Sequence, residues 1–233
     1  MLPQVTKLTG AALNFLFPQK CLGCGDEGFL ICRACQRSLK RILPPVCPRC
    51  GRPQISGIYC PACVNWQSSI DCIRSPLQFE GLTRQVVHHF KYKNLRTLAG
   101  PLADILYDFL QRNPLPAQFL VPVPLHLKRL KERGYNQSAL LAVELSKLTR
   151  IPVNDACLIR KGYTRPQAKT EAVEQRLNNV RAAFACRDFS LKGKQILLID
   201  DVSTSGATLD ACARELKSAG AASVCGLALA REL

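Results

Sequence analysis

The sequence predicts an α/β fold with a parallel sheet, preceded by a small cysteine-rich module. Four C-x-x-C pairs lie between residues 21 and 63. Beyond residue 71, short apolar runs alternate with segments of helical periodicity, which is the pattern of a parallel sheet covered by helices. The length of 233 residues is enough for one such domain with a small appendage.

The cysteine pairs account for eight of the 13 cysteines. One C-x-x-C turn places two thiolates together, and two turns complete the tetrahedron that Zn²⁺ prefers. Gly25 and Gly51 follow the first and third pairs, so we expect these pairs to open two successive ribbons; cross-bracing is the alternative. All ligands are sulfur and leave no place for water, which predicts two structural zinc sites. Their ligands are Cys21, Cys24, Cys32 and Cys35, and Cys47, Cys50, Cys60 and Cys63.

The chain divides into three predicted parts. Residues 1–18 carry an apolar face and are predicted to form a helix that packs on the rest of the protein. Their composition does not match that of a signal peptide. Residues 19–66 form a double zinc ribbon, and residues 67–233 form the α/β domain. No transmembrane segment is predicted, and zinc-type cysteine spacing favours a cytoplasmic protein. The remaining cysteines are expected to be small buried residues: Cys72, Cys157, Cys186, Cys212 and Cys225.

The hydrophobic pattern predicts the elements of the α/β domain. Residues 119–123, 196–199 and 224–229 are continuous apolar runs, typical of strands buried on both faces. Helices are predicted at residues 83–92 and 98–110. Two further helices should pack on the sheet through Leu141, Leu145 and Leu148 and through Leu209, Ala213 and Leu216. Residues 162–179 lack an apolar period and predict a long exposed loop leading into a short polar helix.

The segment 196–209 carries the clearest indication of a binding site. An apolar strand ends in Asp200 and Asp201 and is followed by a hydroxyl-rich turn and a helix start. Parallel sheets bind ligands at the carboxyl ends of strands, and a helix N-terminus offers free N–H groups to an anion. The carboxylates suit ribose hydroxyls or a metal ion. A ribose 5-phosphate has both features, and the phosphate cradle would comprise Val202, Ser203, Thr204, Ser205, Gly206, Ala207 and Thr208.

A basic stretch follows the predicted strand at residues 119–123. Lys128, Arg129 and Arg133 can neutralise a pyrophosphate, although a solvated basic turn is an equal alternative. The formal net charge of the chain is +15. Two zinc–thiolate centres at −2 each would lower it to about +11. This charge fits a polyanionic partner, either a nucleic acid or a phosphorylated substrate.

Residues 196–209 resemble the phosphoribosyl pyrophosphate (PRPP) motif of type I phosphoribosyltransferases. In that family the motif consists of an apolar strand, two acidic residues and a Thr/Ser-Gly-x-Thr loop. Pro122-Val-Pro124 and Gly134-Tyr135-Asn136-Gln137 resemble the ComF competence family. With the double cysteine module, Arg165-Pro-Gln167 and Asn179-Val-Arg181-Ala-Ala-Phe184, the resemblance extends over residues 21–231. Residues 168–176 depart from the family's loop pattern.

The resemblance implies a Rossmann-like type I phosphoribosyltransferase sheet that binds PRPP with Mg²⁺. Asp200 and Asp201 would lie near the ribose hydroxyls, and residues 203–208 would wrap the 5-phosphate. The ComF resemblance implies an accessory protein of natural transformation that handles incoming single-stranded DNA at the cytoplasmic side, with DNA-uptake proteins as partners. The alternative is an enzyme that transfers ribose 5-phosphate from PRPP to an amine or base. The sequence has no glutaminase segment or recognisable base-binding hood.

Overall fold

The computed structural model describes residues 19–161 and 183–233. The predicted N-terminal helix and the predicted loop at 162–179 lie outside the described residues. The described helices are α1 (Arg33–Ser38), α2 (Pro61–Val64), α3 (Gly81–Tyr92), α4 (Ala99–Arg112), α5 (Leu127–Arg133), α6 (Gln137–Thr149) and α7 (Ala207–Ser218). The described strands are β1 (Cys72–Arg74), β2 (Leu77–Gln78), β3 (Phe119–Pro122), β4 (Leu158–Arg160), β5 (Phe184–Cys186), β6 (Gln195–Ser203) and β7 (Ser223–Arg231).

The main sheet is parallel, which confirms the predicted fold class. Its strand order is β1-β7-β6-β3, with β2 also pairing with β7, while β4 and β5 form a separate antiparallel pair. The predicted strand 196–199 is too short, because β6 continues to Ser203 in register with β7. The ladder pairs Asp200 with Ala228 and Ser203 with Arg231. Asp200 and Asp201 therefore lie inside the strand.

Helices cover both faces of the sheet, as the apolar strands require. Leu197 and Ile199 of β6 pack in one buried cluster with α3, α4 and α6. Ile196 and Leu198 pack in a second cluster with α7 and the β4–β5 pair. Leu141 and Leu145 of α6 are buried against the sheet as predicted, but the prediction is wrong for Leu148, which is 38% exposed one turn beyond Leu145.

The cysteine-rich module docks on the sheet through two different contacts. The first ribbon rests on α3, where a Cβ at Gly23 would come within 2.9 Å of Leu82 Cδ2. The second ribbon adjoins β1, because the Ile73 N–H donates to the Arg49 carbonyl at 2.7 Å. A Cβ at Gly51 would lie 2.5 Å from the Ile73 carbonyl oxygen. The second ribbon is therefore fitted against the sheet backbone itself.

The predicted burial of the solitary cysteines is confirmed at two positions and wrong at three. Cys157 and Cys212 are buried, whereas Cys72, Cys186 and Cys225 are half-buried. Cys72 and Cys225 are register partners on the neighbouring strands β1 and β7. Among the described residues, no helix combines the length and the apolar character needed to cross a bilayer.

Candidate metal centres and ligand site

The eight N-terminal thiols lie in two groups, in the successive rather than the cross-braced arrangement. Within each group the sulfur atoms lie within 4.8 Å of one another. Four thiolates at this spacing fit tetrahedral Zn²⁺, and with no position left for water they would hold it as a structural ion. The first group is Cys21, Cys24, Cys32 and Cys35, and the second is Cys47, Cys50, Cys60 and Cys63.

The two groups differ in their exposure. In the first, Cys21 is buried, Cys24 is exposed, and Cys32 and Cys35 are half-buried. All four cysteines of the second group are buried. The difference follows from docking, because the second ribbon is enclosed between β1 and the start of α7. The second centre thus lies inside the protein, next to the turn between β6 and α7.

Backbone amides prepare one thiol in each group for metal binding. Burial raises the pKa of Cys21 and of Cys47, but several backbone N–H groups directed at each sulfur outweigh burial and lower both pKa values to about 6. The Cys32 N–H donates to Cys21 Sγ at 3.3 Å, and the Cys60 N–H donates to Cys47 Sγ at 3.4 Å. Because the thiolate is the form that binds metal, these contacts favour ligation.

Asp200 lies near the carboxyl end of β6 and is held by α6. Its Oδ1 accepts hydrogen bonds from Ser138 Oγ at 3.0 Å and from the Asp201 N–H at 2.9 Å. Burial raises the pKa of Asp200 to about 7, and the neighbouring Asp201 charge adds to the effect. The carboxyl can therefore change protonation near neutral pH. Sequence reasoning missed Ser138, although it stands directly after the quoted Gly-Tyr-Asn-Gln motif.

Asp201 is paired with a lysine that sequence reasoning also missed. Side chains alternate along a strand, so Asp201 lies on the same face of β6 as Leu197 and Ile199, the face that packs on α3. Lys91 Nζ of α3 lies 2.8 Å from Asp201 Oδ1. The two predicted ribose contacts are therefore inequivalent, since Asp201 already has a cationic partner and Asp200 has a hydroxyl partner.

The loop between β6 and α7 presents only part of its predicted hydroxyl set. Thr204 and Ser205 are exposed, and Thr208 is half-buried. The structure differs from the expectation at Ser203, which is 3% exposed and whose Oγ accepts a hydrogen bond from Arg231 Nη1 at 3.4 Å. Val202 packs against the core, so its side chain is directed away from the loop.

Gly206 is the N-cap of α7 and adopts a left-handed φ of 87°. A Cβ there would lie 2.7 Å from Ile73 Cδ1 and 3.3 Å from Trp66 Cη2. Glycine is thus required by the turn and by close packing against β1 and the second ribbon. Beyond Gly206, α7 begins at Ala207, whose N–H donates to Ser205 Oγ at 3.3 Å. The N–H groups that follow it in the first turn have no partner within the helix and can bind an anion.

A basic cavity of about 570 Å³ lies beside the strand end. Arg129 and Arg133 of the predicted pyrophosphate group line it, whereas Lys128 is outside the lining. Arg133 is fixed, since it donates to Gln137 Oε1 at 3.0 Å and to the Tyr92 hydroxyl at 3.1 Å. Lys91 joins the cavity to Asp201. The lining comprises Lys91, Tyr92, Asn94, Arg96, Arg129, Lys131, Glu132, Arg133 and Gly134.

Together, the parallel sheet, the acidic pair on β6 and the turn at the start of α7 define a phosphoribosyltransferase-like domain. The phosphoribosyl transferase domain family matches residues 136–231, and the double zinc ribbon domain family matches residues 12–64.

Comparison with known proteins extends this assignment to most of the chain. The competence protein ComFC of Bacillus subtilis (strain 168) is 34% identical over 209 residues, which are 86% of this chain and 84% of that protein. The DNA utilization protein YhgH of Escherichia coli (strain K12) is 28% identical over 210 residues, 87% of this chain and 91% of that protein. The chain therefore belongs to the ComF family of competence proteins, which confirms the resemblance.

A solved structure is similar to part of the chain. It is the glutamine phosphoribosylpyrophosphate amidotransferase from B. subtilis, with a TM-score of 0.39 and 16% identity. The similarity covers 60% of this chain and 30% of the amidotransferase, so this chain spans less than a third of that enzyme.

Proposed function

We propose that the chain binds PRPP, together with Mg²⁺, at the carboxyl end of β6. The 5-phosphate would lie against residues 204–208, where exposed hydroxyls and the first N–H groups of α7 meet. The ribose hydroxyls and Mg²⁺ would contact Asp200 and Asp201, and the pyrophosphate would occupy the basic cavity. The observation that carries this proposal is the continuity of the three parts. The turn at the start of α7 follows the acidic residues of β6 in the chain, and Lys91 both lines the basic cavity and forms an ion pair with Asp201.

The PRPP site would serve an accessory protein of natural transformation. In this role the protein handles incoming single-stranded DNA at the cytoplasmic side, in contact with DNA-uptake proteins. The names of its relatives, a competence protein and a DNA utilization protein, support this role. The strong positive charge supports it as well, because basic side chains neutralise the phosphates of a DNA strand.

A second candidate is catalysis of phosphoribosyl transfer to an amine or base. The basic cavity favours it, because positive charge near Asp200 and Asp201 could stabilise pyrophosphate as it departs. Catalysis would then depend mainly on positioning and electrostatic stabilisation.

One set of measurements separates the two candidates. Titration calorimetry with PRPP and Mg²⁺ tests binding, and pyrophosphate release in the presence of an array of amines and bases tests transfer. We expect PRPP binding without turnover, and binding of labelled single-stranded oligonucleotides in fluorescence anisotropy. Turnover with one acceptor and no DNA binding would favour the enzyme, and absence of PRPP binding would refute the proposed site.

A further inference from the structure

A cavity of about 260 Å³ lies between the second cysteine group and the β6–α7 loop. Cys50, Cys63 and Trp66 form its wall on the ribbon side, and Ser205 and Ala207 form its wall on the loop side. Arg231, the last residue of β7, also lines this cavity. Arg52 and Asp210 line the cavity as well. Of its two arginines, Arg231 is the one that also donates a hydrogen bond to the end of β6, at Ser203 Oγ.

Arg231 is a buried cation without a carboxylate partner. Its exposure is 1%, and none of the ion pairs among residues 19–161 and 183–233 includes it. Its Nη1 donates to Ser203 Oγ at 3.4 Å, and its Nε is buried with no described partner. A buried charge is costly unless an opposite charge compensates it. The thiolates of Cys50, Cys63 and Cys60 attract the Arg231 guanidinium, while the neighbouring Arg52 repels it.

The second metal centre needs such a cation. A Zn²⁺ ion with four thiolates carries a net charge of −2, and in the second group all four cysteines are between 0% and 3% exposed. Water cannot screen this charge as it can at the first group, where Cys24 is exposed. The buried guanidinium of Arg231 is placed to compensate this charge, and the half-buried Arg52, whose Nε is also without a described partner, is a second cation on the same cavity.

We infer that Arg231 is a positioning residue that couples the second zinc centre to the β6–α7 loop. It neutralises the buried centre on one side and holds Ser203 on the other. Metal at the second site then keeps the loop in place, whereas metal at the first site does not affect it. The consequence for PRPP affinity rests on the proposed function, but the coupling of zinc to the loop does not.

A second contact ties the loop to the same ribbon. Arg49 Nη1 donates to the carbonyl oxygens of Cys63 at 3.0 Å and of Trp66 at 2.6 Å, which fixes the Trp66 backbone. The Trp66 indole in turn lies against Gly206. If the second ribbon loses its metal, the Ser203 side chain keeps its strand position but loses a fixed hydrogen-bond partner, and Gly206 loses its packing against Trp66.

Zinc release tests the first half of the coupling without PRPP. Arg231→Met keeps the length of the side chain and removes its charge, Arg231→Lys keeps the charge, and Arg33→Met is the control beside the first group, where Arg33 is exposed. Chelator challenge with a chromogenic zinc indicator should show two ions per wild-type chain, one released slowly from the buried centre. We expect Arg231→Met to accelerate the slow phase by on the order of tenfold, as for other residues that support metal ligands. Arg231→Lys should be intermediate and Arg33→Met unchanged.

Hydrogen exchange of residues 203–208 in the absence of PRPP tests the second half. Arg231→Met and Cys60→Ser should both increase exchange there, and Cys24→Ser should not. Exchange in α4 reports whether each variant is folded, and Arg231→Lys provides the milder change if Cys60→Ser unfolds. Unchanged slow zinc release in Arg231→Met, or equal loop exchange in the Cys60→Ser and Cys24→Ser variants, would overturn the coupling. Normal coupling with no calorimetric PRPP signal would instead refute only the proposed function.

Discussion

Lys91 Nζ lies 2.8 Å from Asp201 Oδ1, and this ion pair connects α3 to the candidate ligand site. The side chains of Lys91 and Asp201 are 20% and 9% exposed, so solvent screens the pair weakly. Asp200 is adjacent and carries a raised pKa of about 7. Removing Lys91 would therefore leave two neighbouring carboxyl groups in a confined space without a cation.

Lys91→Met is expected to lower the free energy of unfolding by on the order of 3 kcal/mol, because an unpaired buried charge remains. The double variant Lys91→Met with Asp201→Asn should recover part of this loss, since the unpaired charge is gone. Urea denaturation of the two single variants and the double variant measures the coupling. Lys147→Met, which breaks the exposed Lys147–Glu144 pair, is the control and should cost less than about 1 kcal/mol. If the effects of Lys91→Met and Asp201→Asn on the free energy of unfolding are additive, the two side chains are not coupled and the interpretation as a stabilising ion pair is contradicted.

The raised pKa of Asp200 predicts a pH dependence of stability. Burial raises this pKa from 3.8 to about 7, so between these values the folded chain holds a proton that the unfolded chain has released. Stability contributed by this group is therefore complete below pH 4 and is lost as the pH rises through 7. Asp200→Asn should flatten this part of the stability profile. Denaturation from pH 4 to 8 without Mg²⁺ measures it, and parallel profiles for wild type and variant would contradict the prediction.

Replacing both Asp200 and Asp201 with Asn should weaken PRPP binding in the presence of Mg²⁺. The amides keep the size of the side chains but cannot accept charge-assisted hydrogen bonds, each worth about 1.5–3 kcal/mol. We expect at least a tenfold loss of affinity in titration calorimetry. Asp108→Asn, at an exposed position on α4, is the control. Equal affinity of the double variant and wild type would remove the carboxyl pair from the site.

The local pattern of the sequence predicts the parallel sheet, the two ribbons and the β6–α7 turn, because each depends on residues close in the chain. Lys91, Ser138 and Arg231 could not be assigned in this way. They reach β6 or the loop from three other elements, and only the tertiary fold brings them together. The length of β6 was underestimated for a related reason. Residues 200–203, three of which are polar, remain in the strand because β7 continues beside them.

Gly206→Ala is expected to destabilise the protein through both strain and overlap. Its φ of 87° disfavours a side chain, and the added Cβ would approach Ile73 Cδ1 to 2.7 Å. Gly193→Ala is the matched control, because Gly193 has a φ of 71° and no atom within 4 Å of its Cβ position. We expect about 1 kcal/mol for the control and more for Gly206→Ala. Ile73→Val removes the overlapping Cδ1 and should bring the two costs closer in denaturation experiments. If Gly206→Ala and Gly193→Ala lower the free energy of unfolding equally while Ile73 is unchanged, the packing role of Gly206 is excluded.

Single-stranded DNA binding should depend on backbone charge and show no sequence preference. If basic side chains neutralise DNA phosphates, the logarithm of affinity falls with the logarithm of salt concentration by about 0.7 per phosphate. Arg129 and Lys131 are exposed and line the basic cavity, so Arg129→Gln with Lys131→Gln should lower both the affinity and the slope. Arg49 is unsuitable for this test, because it holds the carbonyls of Cys63 and Trp66 and its replacement would disturb the ribbon. The control is Lys147→Gln, at an exposed position on α6. Fluorescence anisotropy at several salt concentrations with oligonucleotides of different sequence measures these effects. A salt-independent signal, or no binding at physiological ionic strength, would refute DNA binding and leave phosphoribosyl transfer to a small molecule as the better explanation of the basic cavity.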